Sequence, residues 1–210
     1  MVQTPSSIDS AKDSANKLLS LQLPESLVLT VTPEQFALLA TANRDLNLER
    51  SALGELIVNP PTGWETGARN FSIAGQLYIW HDAHYELGKA FDSSTAFTLP
   101  NGAIRSPDVS WVSQVSWNAL NAEQKKTFAN ICPDFVVELR SASDALKPTQ
   151  EKMQEYLDNG AQLGWLINPQ NKQVEVYRPG KPVEVLDAPI ELPGEAVLPG
   201  FSLNLRRIWT

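Results

Sequence analysis

The sequence is poor in the residues that staple a chain, chelate soft metals or grip polyanions. It holds one cysteine, Cys132, and two histidines, His81 and His84. A lone thiol excludes an internal disulfide and fits a reducing cytoplasm. No Cys/His zinc spacing, glycine-rich phosphate loop or G-x-S-x-G elbow is present. His81 and His84 have a spacing able to bind a transition metal on a helix, but they flank Asp82 at a helix end, where exposure is the simpler reading. Cys132 has no histidine near it in sequence, so packing is its expected role. No stretch approaches the roughly 18 uninterrupted apolar residues of a membrane span. The polar opening MVQTPSSIDSAKDSANK lacks the basic and apolar regions of a signal peptide. Basic residues never form a run, and Lys125-Lys126 and Arg206-Arg207 are the only adjacent pairs. With a net charge of −7, the chain lacks the basic face that supplies most nucleic-acid affinity.

What is present is an ordinary globular composition, 42% hydrophobic and 20% charged over 210 residues. That suffices for one sizeable core. Residues 1–25 read as a flexible leader and residues 26–210 as a single cytoplasmic domain. Thr32-Pro33-Glu34-Gln35 predicts a capped helix running to about Arg44. LNLERS and GELIVN, at 46–51 and 54–59, predict a strand pair. Thr62 and Glu65 suggest a second capping box, opening a helix to about His81. On it Phe71, Ala74, Gly75 and Tyr78 share a face, and Gly75 suggests close packing against a sheet. Short strands are expected at Tyr85–Ala90, Thr95–Leu99 and Asp108–Val112, followed by a modest helix within 116–130. Phe135–Leu139 reads as a buried strand, and Pro148–Asn159 as a helix closed by Gly160. Strands at Leu163–Ile167, Gln173–Tyr177 and Val183–Leu186 complete a mixed α/β fold, a central sheet flanked by helices.

Two acids sit oddly in this pattern. Asp108 follows Pro107 at the head of the apolar strand DVSWV, and Glu138 ends the buried run FVVE. If those strands pair, both carboxylates meet at one end of the sheet. Mg²⁺ typically takes one or two carboxylates and fills its shell with water and phosphate oxygen. Lys152, one turn into the following helix, is within reach of the same place. Taken singly, Asp108 reads as a strand-start acid, Glu138 as a partner of Arg140, and Lys152 as a solvated helix residue near Glu155. The coincidence of all three in order favours a site. Among the tryptophans, Trp64, Trp111, Trp117, Trp165 and Trp209, packing is the default over base stacking.

PDV at 107–109, VVELRSASD at 136–144, EKMQEY at 151–156, NGAQLGWLINP at 159–169 and VEVYRPG at 174–180 resemble a large restriction-endonuclease family common in cyanobacteria. That family belongs to the PD-(D/E)XK phosphodiesterase superfamily. NPPTGWETGARN at 59–70 and LPGFSLNL at 198–205 extend the resemblance over roughly residues 30–208. It implies a restriction-endonuclease-like core with an added N-terminal helix and β-hairpin. It also implies Mg²⁺-dependent hydrolysis of phosphodiester bonds, in DNA, with Mn²⁺ as a substitute and a homodimer as the working form. Asp108 and Glu138 become the metal-binding acids, with the Leu139 carbonyl as a further ligand. The superfamily lysine position holds Arg140, which stays charged and cannot act as a base near neutral pH; the role passes to Lys152. Glu65 matches the place of an occasional extra acid. The competing expectation is a catalytically inactive module of the same fold that pairs with other proteins through the strands in VEVYRPG and GFSLNL.

Overall fold

A computed structural model describes residues 28–210; the expected leader lies outside them. Helix α1 (Pro33–Ala42) has the capping box read from the sequence, with Thr32 and Gln35 exchanging side-chain-to-backbone hydrogen bonds. Strands β1 (Asn47–Arg50) and β2 (Leu56–Asn59) pair antiparallel as a hairpin. Helix α2 (Trp64–Ala83) follows, its N-cap being Gly63 rather than Thr62. Then come β3 (Gly88–Asp92), β4 (Phe97–Thr98), β5 (Ile104–Arg105) and β6 (Val109–Ser113). The helix expected within 116–130 is shorter and earlier, α3 (Gln114–Ala119), because Ser113 caps it. The rest of the chain supplies β7 (Phe135–Leu139), α4 (Leu146–Asp158), β8 (Leu163–Asn168), β9 (Gln173–Tyr177), β10 (Glu184–Asp187), β11 (Glu191–Pro193) and β12 (Ser202–Asn204).

The main sheet has six strands in the order β10-β9-β8-β7-β6-β3. Only β7 and β8 run parallel, and α4 makes the crossover that parallel neighbours require. Both strands are buried along their whole length. A second sheet, β2-β1-β5-β4, stands beside the first. The unexpected two-residue strand β5 joins the N-terminal hairpin to it through Arg50 and Ile104.

Alternation along the strands decides what meets what. Val109, Trp111, Phe135, Val137 and Leu139 face α2, where Ile73, Leu77 and Trp80 cover them. Val112, Val136 and Leu166 face the other way, against Met153 and Tyr156 of α4. By the same alternation Asp108 and Glu138 belong to the α4 side.

Two expectations are corrected here. Helix α2 buries Ile73, Leu77 and Trp80, whereas Phe71 and Tyr78 point outward. Gly75 does not pack against the sheet, since among the described residues a Cβ on it would meet nothing within 4 Å. In the segments VEVYRPG and GFSLNL, β9 lies between β8 and β10, whereas β12 pairs with β11 alone among the described strands and keeps one edge unpaired.

Two other glycines are required by close approach, with different consequences. A methyl on Gly88 would drive into the Val112 carbonyl oxygen and lie 2.5 Å from the Trp111 ring. On Gly164 it would meet the Met153 Cε at 2.5 Å, the mobile end of a flexible side chain. Gly88→Ala is therefore expected to cost about 3 kcal/mol and Gly164→Ala about 1 kcal/mol, an ordering that urea denaturation measures directly.

Candidate active site

Strands β6 and β7 pair with Val109 opposite Val137, which brings Asp108 beside the end of β7. The Leu139 backbone N–H donates to Asp108 Oδ2 at 2.8 Å, and Asn70 on α2 donates to Oδ1 at 3.0 Å. Glu138, one residue earlier on β7, is buried. Its Oε1 accepts from the Tyr156 hydroxyl at 3.0 Å and lies 2.8 Å from Lys152 Nζ. Both partners come from α4, at the spacing that places them on one helix face. All three residues expected from the sequence are thus drawn to one end of the main sheet.

A fourth residue completes the group and has no signal in the sequence. Glu49, on β1, is 3% exposed. Its Oε1 lies 2.8 Å from Lys152 Nζ and accepts from the Ser106 backbone N–H at 2.8 Å. Its Oε2 pairs with Arg105 at 3.3 Å, and Arg105 also holds Glu155 at 2.6 Å. An acid between Leu48 and Arg50 in an amphipathic hairpin normally faces solvent. It is buried only because β5, two residues long, ties that hairpin to the rest of the molecule.

The electrostatics follow from this sharing. Burial disfavours ionisation of Glu49, but Lys152 and Arg105 outweigh it and hold its carboxyl below the ordinary range. Burial pushes Glu138 up to about 7 despite Lys152, helped by repulsion from Asp108 and Glu49. Burial likewise raises Asp108. Lys152, although desolvated, is held in its charged form by Glu138 and Glu49. It is therefore a donor and not a proton acceptor. Four carboxylates (Glu49, Asp108, Glu138 and Glu155) face two cations (Lys152 and Arg105), so full ionisation leaves two negative charges in excess.

These groups lie in a cleft of about 1260 Å³. Arg69 and Arg140 also line it. Arg140 contacts the Asp144 carbonyl and Asn168 and makes no pair with Glu138. Glu65 lines the rim, but its side chain is 85% exposed and paired with Arg69. Glu49, by contrast, is buried beside Lys152. Of the tryptophans considered, Trp165 is buried and Trp64 is 96% exposed at the rim. His84 stacks on Trp80. Cys132 is buried, with its thiol pushed up to about 12 by burial.

Among the described residues no three His, Cys, Asp or Glu side chains form a metal cage. The donor set nonetheless suits a hard divalent cation. Asp108 and Glu138 are oxygen donors, Glu138 Oε2 accepts no hydrogen bond from a described residue, and the excess charge matches a 2+ ion.

The family model described as "Putative restriction endonuclease" (Uma2) matches residues 33–206. Among solved structures, the chain is similar to a putative nuclease belonging to DUF820 from Anabaena variabilis. The two share 23% identity over 77% of this chain and 89% of the other, with a TM-score of 0.65; this establishes the shared fold. No curated protein matches.

Two measurements check this electrostatic account. In the folded chain Glu138 binds its proton more tightly than in the unfolded chain. Its contribution to stability is full below about pH 4.5 and is lost as pH rises through about 7. Urea midpoints in EDTA should fall across that window, and Glu138→Gln should flatten the fall. Glu49→Gln leaves Lys152 short of a buried partner and is expected to destabilise by about 3 kcal/mol, read by denaturation at neutral pH.

Proposed function

Since the chain belongs to the family described as "Putative restriction endonuclease", we propose that it is a Mg²⁺-dependent endonuclease that hydrolyses phosphodiester bonds in DNA. The observation that carries this reading is the convergence of Asp108, Glu138 and Lys152 in one open cleft. Asp108 and Glu138 would hold the ion, with the Leu139 carbonyl beside them. When bound, the ion supplies Lewis-acid stabilisation of the phosphoryl oxygen and a more acidic water.

The chain's own residues supply orientation and charge. The Leu139 N–H and Asn70 fix the Asp108 carboxylate, so that it meets a ligand without reorganising. Tyr156 fixes Glu138 in the same way. Lys152 presents a permanent ammonium to the cleft. It would hydrogen-bond the attacking water or a phosphoryl oxygen and offset charge that develops in the transition state. Glu49, itself held by Arg105, shares with Glu138 the task of keeping that ammonium in place. Arg69 and Arg140 line the cleft where a phosphate backbone would run. The cytoplasm, where Cys132 stays reduced, is the fitting compartment.

Supercoiled plasmid and short DNA and RNA duplexes incubated with Mg²⁺ or Mn²⁺ should distinguish the substrates, with cleavage of DNA expected and none in EDTA. Asp108→Asn and Lys152→Ala should each lower the rate by about a thousandfold or more. Cleavage that persists in both variants, or that does not need a divalent ion, would overturn the assignment.

A further inference from the structure

Among the described residues, the outward face of α2 carries several large apolar side chains that nothing covers. Trp64, Phe71, Tyr78 and Ile79 are 96%, 82%, 62% and 72% exposed. Trp64, Ala68, Phe71, Gly75, Tyr78 and Asp82 follow one another at alternating steps of four and three along the helix. That is a coiled-coil seam, with aromatic residues at one position and small ones at the other down to Asp82. Among the described residues nothing packs closely on the two glycines of α2. The space beside Gly75 is open to 4 Å and a Cβ on Gly67 would touch only Thr62 at 3.8 Å. A glycine inside a helix still costs about 1 kcal/mol relative to alanine. Exposed aromatics and glycines without a packing role both point to a partner that comes close.

We propose that this face binds a second copy of the same chain, with the two α2 helices antiparallel about a twofold axis at Ile73. The seam is self-complementary in that arrangement. Phe71 falls opposite Gly75 of the other copy and Tyr78 opposite Ala68, so each ring enters a gap left by a small residue. Trp64 falls opposite Asp82, a carboxylate able to accept the indole N–H. Parallel pairing would instead set Phe71 on Phe71 and Gly75 on Gly75, alternating crowded layers with empty ones.

Area supports the same occupant, and the charge on the seam itself is small. Aromatic side chains bury roughly 150–250 Å² each, so three of them with Ile79 bring each copy near the roughly 800 Å² per partner of a stable interface. A chain with a net charge of −7 repels its own copy, and the seam confines contact to a strip whose only charged member is Asp82. The helix is about 30 Å long. Since its N-terminal turn borders the cleft, antiparallel pairing sets two clefts at opposite ends of the helix pair. The inference holds whatever the chemistry of those clefts.

Sedimentation of the full chain over a concentration series should show a monomer–dimer equilibrium that tightens with salt, as repulsion is screened. Phe71→Glu and Gly75→Arg alter exposed positions. Each should keep the wild-type circular dichroism and raise the dimer Kd by about a hundredfold or more. The double variant Ala68→Cys/Tyr78→Cys should form a covalent dimer on mild oxidation, whereas neither single variant does so. A wild-type chain that stays monomeric at about 100 µM would overturn the proposal, as it would if residues 1–27 covered the face. A dimer unaffected by Phe71→Glu, or cross-linking by the single variants, would overturn it too.

Discussion

The Lys152 ammonium, held 2.8 Å from both Glu49 and Glu138, is the interaction on which the rest of the site depends. A buried cation is tolerated only when its charge is matched and its protons are accepted. Here the match comes from two separate parts of the structure. Glu138 belongs to the main sheet and Glu49 to the N-terminal hairpin, so Lys152 fastens the second sheet to the first from the helix between them. Arg105 repeats the pattern one step further out, bridging Glu49 to Glu155. Removing the hairpin would therefore unbalance the site as well as shorten the chain.

The main sheet sets the geometry that this bridge exploits. Pairing β6 with β7 in the observed register puts Asp108 against the end of β7, and the two-residue period turns it and Glu138 to the same side. A slip of one residue in that register would send one acid to the α2 face. The parallel neighbour β8 demands a crossover, and α4 is that crossover. The helix that solves a topological need thus also delivers Lys152 and Tyr156, with Met153 anchoring it in the core.

Much of this was legible in the sequence because it rests on local patterns. FVVEL apart from Glu138, and the Leu163–Ile167 run, are apolar, as strands buried on both faces must be, and Pro148–Asn159 carries its own stop signal in Gly160. Asp108 and Glu138 stand out because each sits where such a pattern breaks, and Lys152 because of its place one turn into the next helix and the family resemblance. What was not legible depended on contacts distant in sequence. Glu49 looks like any solvent-facing acid of a hairpin, and its burial follows from β5, which is too short to leave a periodic signature. The outward face of α2 misled for a related reason. Aromatic residues on one stripe of a helix normally mark the core side, and here a second stripe of Ile73, Leu77 and Trp80 claims the core instead.

The acidic balance of the chain also takes on a different meaning once the site is built. As a bulk property it argues against binding a polyanion. Part of that charge lines the cleft, and in the group around Lys152 four carboxylates face two cations. A phosphate approaching the bare cleft meets net repulsion at short range, in surroundings of reduced dielectric where it is strongly felt. A divalent cation between Asp108 and Glu138 would cancel the excess and turn repulsion into attraction at the point where a scissile phosphate would lie. On the proposed reading, affinity for substrate and chemical competence are then switched on by the same event. An acidic nuclease of this kind has no need of a basic face, and lacks the metal-independent hold on nucleic acid that such a face would give it.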